Sequence, residues 1–218
     1  MGIPKQLVGR ITRRLTRTCF ELETVRTLYR DLRYGGYCGG CETSRYARLG
    51  ANGTISTEYG QLDELFRRSG IRITESDVLV DIGCGKGRVI NYWLGKGYSN
   101  RIVGLELDED VAIRLRGRVA AWPNVDIVTG DAVDRLPEDG TIFYAYNPFG
   151  ERVMARLKAK MEDLYSPGRG VVLLYYNCHH VGLFADDSAW CVESLGWVGT
   201  LPAALVVLRE RPAREERA

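Results

Sequence analysis

The apolar positions of the chain change their pattern at residue 77. From there on, short apolar runs alternate with amphipathic stretches of helical period. The runs are rich in Val, Ile and Leu, with few polar residues between them, which is typical of strands buried on both faces. They read VLVDI, RIVGLEL, VDIVTG, TIFYAYN, GVVLLYYN and ALVVLRE. Their alternation with helical stretches predicts an α/β fold with a doubly wound, mostly parallel sheet.

Helices are predicted between most of these strands, over residues 87–94, 109–121 and 151–165. Another helix is expected in STEYGQLDELFRR, with Ser56 as its N-cap. Near the end, AWCVESLGW and ALVVLRE follow each other closely. They predict an antiparallel pair of strands that closes the parallel sheet.

The N-terminal region has a helical spacing of apolar residues from Leu7 to Leu32, and its first 20 residues carry five basic and no acidic side chains. We expect a helix that packs on the main domain with its basic face in solvent. A surface for an anionic partner and an organelle-targeting segment are the alternatives. The glycines of YGGYCGG end this helix. The expected organisation is an N-terminal helical extension at 1–55, a main domain at 56–210 and a charged tail at 211–218.

Composition narrows the class of function. Hydrophobic residues make up 45% and charged residues 27% of the chain, as in ordinary globular domains. The net charge of +2 disfavours a dedicated nucleic-acid binder. No apolar run approaches the roughly 20 residues of a membrane span, and no secretory signal is recognised. We therefore expect a cytoplasmic protein whose six cysteines are reduced.

The segment VLVDIGCGKGRVI places Asp81, Gly83 and Gly85 between a predicted strand and a predicted helix. In doubly wound sheets, ligands bind beyond the carboxyl ends of the strands. Glycines allow a sharp turn and a close approach of ligand to backbone. The next strand ends in Glu106, roughly 20 residues on, where a carboxylate binds ribose hydroxyls. The pattern predicts a site for a nucleoside-bearing cofactor.

The spacing of the glycines favours one cofactor over another. It is G-x-G-x-G, and Arg88 occupies the position of the third glycine of the dinucleotide fingerprint G-x-G-x-x-G. The acidic Asp81 would also repel a pyrophosphate. It suits the cationic amino-acid end of S-adenosylmethionine. An NAD-dependent oxidoreductase remains an alternative.

Taken in order, DIGCGKGR, VGLELD, GDA and YNPF resemble the class I S-adenosylmethionine-dependent methyltransferases, especially a bacterial group with DxGCGKGR and YNPF motifs. The likeness extends from about Ser56 to Glu210. It implies a Rossmann-like methyltransferase fold with strand order 3-2-1-4-5-7-6. It also implies that Asp81 lines the methionine part of the cofactor, Glu106 binds the ribose and Asp131 accepts a hydrogen bond from the adenine amino group. The full implied cofactor set is Asp81, Gly83, Cys84, Gly85, Glu106, Asp131, Ala132 and Asn147.

The acceptor side is predicted after TIFYAY, where Asn147 and Pro148 begin N-P-F-G. The motif is similar to the D/N/S-P-P-Y/F motif of amino-methyltransferases, but it has one proline, so amine specificity does not follow. A simple capped turn is the alternative reading of this pair. Substrate contacts are predicted for Tyr59, Tyr146, Pro148 and Phe149, with core packing as the alternative for Phe149.

Methyl transfer depends mainly on aligning two reactants, and it needs a base only when the nucleophile is protonated. The catalytic candidates are Asn147, His179 and His180, the histidines being otherwise an ordinary polar loop pair. Cys38 and Cys41 form a C-x-x-C without a second pair, so no metal site is predicted. A lid within residues 34–60 is expected to exclude water.

The sequence thus predicts an S-adenosylmethionine-dependent methyltransferase (EC 2.1.1.-) that acts on a small molecule or a protein side chain by in-line transfer. The alternative from another class is a non-catalytic subunit that binds the cofactor, or a partner through the basic N-terminal helix. A nucleic-acid acceptor is disfavoured by the charge. An oligomer formed through the N-terminal helix is left open, as is the identity of the acceptor atom as N, O, C or S.

Overall fold

The computed structural model describes residues 22–42, 54–165 and 170–209. Contacts between residues divide the chain into two units, Met1–Tyr37 and Cys38–Ala218. In the first unit, residues 22–33 form helix α1, in agreement with the described part of the predicted N-terminal helix. The remainder of that prediction lies outside the described residues. The expected packing of this helix and the expected boundary at residue 55 stay predictions.

The second unit contains two short strands that pair antiparallel and one seven-stranded sheet. The short strands are β1 (Cys41–Glu42) and β2 (Thr54–Ile55). The strands of the large sheet are β3 (Leu79–Ile82), β4 (Ile102–Glu106), β5 (Val125–Thr129), β6 (Ile142–Tyr146), β7 (Val171–Tyr176), β8 (Trp190–Val198) and β9 (Leu201–Leu208). The helices of this unit are α2 (Tyr59–Ser69), α3 (Arg88–Gly95), α4 (Glu109–Val119), α5 (Glu151–Tyr165) and α6 (Gly182–Ala185).

The sheet has the order β5-β4-β3-β6-β7-β9-β8. Strands β3 to β7 are parallel, whereas β9 runs antiparallel to both β7 and β8. Counted from β3, this order is 3-2-1-4-5-7-6, so the predicted Rossmann-like methyltransferase topology and the antiparallel closing pair are confirmed. The chain leaves β3 first to one side and then to the other, and this reversal opens a crevice at the carboxyl ends of the strands.

Helices cover both faces of the sheet, which explains the unbroken apolar runs of the sequence. Strand β6 illustrates the arrangement. Phe143 belongs to a core cluster with Met154 and Leu157 of α5, whereas Tyr144 belongs to a second cluster with residues of α2, α3 and α4. Among the described helices, none has both the length and the apolarity needed to cross a bilayer.

The helix boundaries follow the predictions with one correction. The predicted helix at 151–165 is observed as α5. The ends of α3 and α4 differ from the predicted ends by at most two residues. The N-cap of α2 is Glu58 and the prediction of Ser56 is wrong. Glu58 is the N-cap because its backbone N–H donates to the Gln61 side chain at 3.1 Å, as in a capping box. The Ser56 hydroxyl instead donates to the Cys38 carbonyl at 2.5 Å. The short helix α6 was not predicted.

Candidate active site

The glycine turn joins β3 to α3 in a conformation that few other residues adopt. Gly83 and Gly87 have φ values of 73° and 78°. A Cβ atom on Gly83 would lie 3.1 Å from Cβ of Pro148, and one on Gly87 would lie 2.6 Å from a methyl carbon of Leu115. Glycine is therefore required by backbone conformation and by space. The contact with Pro148 also shows that the structure brings the glycine turn and the N-P-F-G motif together.

Asp81 lies within β3, directly before this turn. It is 2% exposed, and its Oδ2 atom has no hydrogen-bond partner among the described residues. Gly104 of β4 and Tyr144 of β6 flank it in the sheet. Burial, and then repulsion from the Glu106 carboxylate, raise the pKa of Asp81 well above its usual range. A buried carboxylate of this kind is stabilised by a cationic ligand group.

Glu106 ends β4 beside the turn. Its Oε2 accepts a hydrogen bond from the Gly85 N–H at 2.8 Å, and its Oε1 accepts one from the Asp108 N–H at 2.8 Å. Burial raises the pKa of Glu106, although these backbone donors act in the opposite direction. A carboxylate has about four acceptor positions, so Glu106 can hold the turn and still accept from hydroxyls of a ligand.

Asp131 and Ala132 follow β5 at the same edge of the sheet. Asp131 accepts a hydrogen bond from the Val133 N–H at 2.9 Å through Oδ1, while Oδ2 lies 3.4 Å from the Arg156 guanidinium. Ala132 is buried. The structure therefore places Asp131 at the third strand end in line with Asp81 and Glu106, and its predicted contact with adenine stays a prediction.

The predicted acceptor-side residues meet at the carboxyl ends of β6 and β7. The Asn147 N–H donates to the Tyr176 carbonyl at 3.1 Å, and the Tyr175 hydroxyl donates to Oδ1 of Asn147 at 3.3 Å. Burial raises the pKa of Tyr175. This hydroxyl connects strand β7 to the loop after β6. His179 is exposed.

The remaining predicted substrate residues differ in their surroundings. The Tyr146 ring packs on Tyr176, with 4.9 Å between ring centroids. Phe149 is buried in the core cluster that contains Met154, as in the core-packing alternative. Tyr59 is the first residue of α2 and is also buried, with the Arg88 guanidinium 5.7 Å from its ring centroid.

Sequence reasoning missed the polar contacts that hold the segment before α2 against the site. Arg88 is 2% exposed and pairs with Glu58 at 2.7 Å. The Thr57 and Tyr144 hydroxyls are 2.6 Å apart. Burial raises the pKa of Tyr144, which lies beside Asp81. These pairings join residues 30 and 87 positions apart in the chain, so no local pattern indicates them.

The cysteine motif contributes one described side chain. The Cys38 thiol is buried and donates to the Lys86 carbonyl at 3.2 Å, next to the glycine turn. The Cys41 side chain lies outside the description. Cys84 is buried, and its Sγ would be 2.8 Å from a Cβ on Gly104, so it fills a space that the glycine leaves. In the described part of the chain, no three His, Cys, Asp or Glu side chains are grouped as metal ligands.

Two solved structures illustrate the likeness in fold. An RNA methyltransferase from Salinibacter ruber, in complex with S-adenosylhomocysteine, is 22% identical with a TM-score of 0.51, over 73% of this chain and 97% of that one. An O-methyltransferase from Bacillus cereus, also in complex with S-adenosylhomocysteine, is 18% identical with a TM-score of 0.52, over 72% and 83% of the two chains. No curated protein sequence matches the chain.

Residues 80–143 match a family model described as a methyltransferase domain. The matched region runs from β3 into β6 and contains the glycine turn, Glu106 and Asp131. This match and the fold support an S-adenosylmethionine-dependent methyltransferase and are consistent with class I. Its cofactor is S-adenosylmethionine. The residues fit this cofactor, because an acidic side chain with an unpartnered oxygen stands next to a turn in which side chains are excluded.

Proposed function

We propose that this protein methylates a small molecule or a protein side chain by in-line transfer. The observation that carries the methyl transfer from the cofactor is the buried Asp81 carboxylate, one oxygen of which has no partner among the described residues. Such a group is costly unless a ligand supplies a positive charge. The ammonium of the cofactor's amino-acid end has this charge, so Asp81 would fix that end beside Gly83 and Gly85.

The other carboxylates of the edge complete the proposed cofactor site. Glu106 would accept hydrogen bonds from the ribose hydroxyls, and Asp131 would accept one from the adenine amino group next to the backbone of Ala132. Their order along the edge supports this assignment, because β3, β4 and β5 are consecutive neighbours in the sheet. When bound, the cofactor supplies a methyl group that its sulfonium activates.

The acceptor would bind beyond β6. Asn147 and Pro148 adjoin the glycine turn, as the short distance from Gly83 indicates. Asn147 would orient the acceptor, with Tyr146 at the rim. His179 and His180 are candidates for accepting a proton from the acceptor and passing it to solvent. Orientation of this kind removes much of the barrier to a transfer between two bound molecules.

The charge of the chain supports the proposed class of acceptor. A net charge of +2 is small for a protein that must displace counterions from several phosphates. Binding of a small molecule or a protein side chain does not require the protein to displace counterions from a row of phosphates. The expected cytoplasmic location is part of the same proposal.

Labelling from tritiated S-adenosylmethionine tests the acceptor class. The enzyme is incubated with a cell extract, and label is counted in the metabolite, protein and nucleic-acid fractions. Asp81→Asn serves as the inactive control and Asp77→Asn as the matched active control. We expect label in the metabolite or protein fraction with wild type and Asp77→Asn. Label that nuclease treatment releases would contradict the acceptor class, and the absence of label from all three fractions would contradict the activity.

A further inference from the structure

Strands β6 and β7 each end in a tyrosine that is followed by an asparagine. Tyr146 ends the first strand and Asn147 follows it, Tyr176 ends the second and Asn177 follows it, and Tyr146 pairs with Tyr176 in the sheet. Among the described non-glycine residues, only Asn147 and Asn177 have positive φ values, of 35° and 51°. Asparagine tolerates this conformation better than most residues do, but the conformation still concentrates at functional sites.

The side chain of Asn177 has an unusual environment. The residue is half-buried, yet its Oδ1 atom is buried and has no hydrogen-bond partner within the described residues. A buried carbonyl oxygen without a donor costs free energy, and native proteins rarely keep one without a reason. Asparagine in a purely structural turn normally bonds its own backbone. The Asn177 oxygen makes no such bond.

The position of Asn177 relates it to the proposed transfer site. Pro148 lies against Gly83, and Asn147 is bonded to the backbone of Tyr176. Asn177 is therefore one strand further from the cofactor turn than Asn147, at the same edge of the sheet. Among the described residues, the buried oxygens without partners are those of Asp81, Asn91 and Asn177. Asn91 lies in helix α3, whereas Asp81 and Asn177 belong to the strand β3 and to the loop after strand β7, on the two sides of strand β6 and its N-P-F-G motif.

We propose that Asn177 is an acceptor-binding residue whose side-chain oxygen accepts a hydrogen bond from the methyl acceptor. The acceptor then carries an N–H or O–H group, as an amine, an amide or a hydroxyl compound does. A carboxamide oxygen has nothing to offer a thioether, a ring nitrogen without hydrogen or a carbon nucleophile. The inference rests on the proposed function, which it narrows to acceptors that donate a hydrogen bond.

A substitution of Asn177 should change acceptor binding without lowering the stability of the protein. Glycine at position 177 accepts the positive φ without strain and removes the unpartnered oxygen. Asn177→Gly should therefore not lower the unfolding midpoint. Asn124→Gly is the matched control at the opposite end of the sheet, where the Asn124 side chain donates to the Asn100 carbonyl at 2.9 Å. This control should lower the midpoint and leave ligand binding unchanged.

The test measures ligand affinity in protein saturated with S-adenosylhomocysteine. The probes are matched sets, namely benzoate with anthranilate and salicylate, and 9-methylpurine with 9-methyladenine, whose parents have no N–H or O–H donor. We expect the members with an added N–H or O–H to bind wild type at least about fivefold more tightly than their parents, as one hydrogen bond provides. Asn177→Gly should remove this advantage while its affinity for S-adenosylhomocysteine stays unchanged.

Three results would overturn the proposal. They are an equal affinity of wild type for parents and donors, an advantage that survives in Asn177→Gly, and a midpoint that Asn177→Gly lowers as much as Asn124→Gly does. A failure of the proposed function has a different signature, because wild type would then not bind S-adenosylhomocysteine at all.

Discussion

The two ends of the parallel strands differ in how their polar groups are satisfied. Asp77 stands before β3, at the amino edge of the sheet, and Asp81 stands four residues later, at the carboxyl edge. Burial would raise the pKa of Asp77, but hydrogen bonds from the Thr74 N–H and hydroxyl and from the Thr141 hydroxyl outweigh burial and lower it. The pKa of Asp81 is raised by burial and by Glu106. The same residue type is thus shifted in opposite directions.

Other polar side chains at the amino edge also have hydrogen-bond partners or ion-pair partners, as Asp77 does. The Asn100 side chain donates to the carbonyls of Thr74 and Asp77 at 2.7 and 2.8 Å. Arg101 pairs with Asp139 at 2.7 Å and with Asp126 at 3.1 Å. These groups connect the loops of this edge, because each of them bonds to another residue of the same edge.

At the carboxyl edge, the buried oxygens of Asp81 and Asn177 have no hydrogen-bond partners within the described part of the chain. Natural proteins tolerate such groups chiefly where a ligand completes them. The comparison leads us to propose that the amino edge stabilises the fold, whereas the carboxyl edge loses stability in order to bind the cofactor and the acceptor.

The largest expected effect is that of Asp81→Asn. It removes a buried carboxylate that would bind the cofactor ammonium, a charge-assisted contact of about 2–3 kcal/mol. The affinity for S-adenosylhomocysteine should fall roughly 100-fold in a calorimetric titration. Unchanged affinity would exclude Asp81 from the cofactor site and would break the comparison between the two edges.

Gly83→Ala should have the next largest effect. A methyl group there meets Pro148 at 3.1 Å on a backbone with a φ of 73°. We expect about tenfold weaker binding of S-adenosylhomocysteine and a loss of about 1–2 kcal/mol in stability. Gly70→Ala is the control, since Gly70 has a φ of 64° but open space around it. It should cost about 1 kcal/mol of stability without changing the affinity, and equal affinities for the two variants would contradict the role of the turn.

Asp77→Asn should change the stability of the protein and leave cofactor affinity unchanged, in contrast to Asp81→Asn. It weakens the hydrogen bonds from Thr74 and Thr141, so the free energy of unfolding at neutral pH should fall by about 1–2 kcal/mol. The affinity for S-adenosylhomocysteine should not change. Urea denaturation and calorimetry on the same preparation measure both quantities. A loss of affinity would show that the amino edge also serves the ligand.

The smallest expected effect is a pH dependence of opposite sign at the two positions. The folded-state pKa of Asp77 is lowered, so its stabilisation is present above the ordinary carboxyl pKa and is lost as the pH falls through the folded-state value. The folded-state pKa of Asp81 is raised, which means that the protonated form is favoured in the folded protein. Folding stability is therefore highest below the ordinary carboxyl pKa and is lost as the pH rises through the folded-state value. Unfolding of wild type and of each Asn variant, followed from acid to neutral pH, should show the two slopes. Slopes of the same sign would contradict the contrast.

The sequence predicted the sheet well, because its strands are buried on both faces and leave unbroken apolar runs. Asp81 and Glu106 were predicted at the carboxyl edge because each stands next to the end of such a run. The N-cap of α2 was misplaced, since Ser56 and Glu58 both precede the helix and only the contacts of Gln61 and Arg88 favour Glu58. Asn177 was missed, although the Tyr-Asn ending shared by β6 and β7 was visible in the sequence. Its unpartnered oxygen depends on packing, which no local pattern specifies.

One measurement tests the central claim most directly. It is the free energy of unfolding of wild type, Asp77→Asn and Asp81→Asn, each with and without saturating S-adenosylhomocysteine. Without ligand, we expect Asp81→Asn to be more stable than wild type by about 1 kcal/mol, because a buried charge without a partner is removed, and Asp77→Asn to be less stable. With ligand, wild type and Asp77→Asn should gain equally, and Asp81→Asn should gain little. If Asp81→Asn is less stable than wild type and gains as much from the ligand, Asp81 serves the fold, and the carboxyl edge is not built around the cofactor.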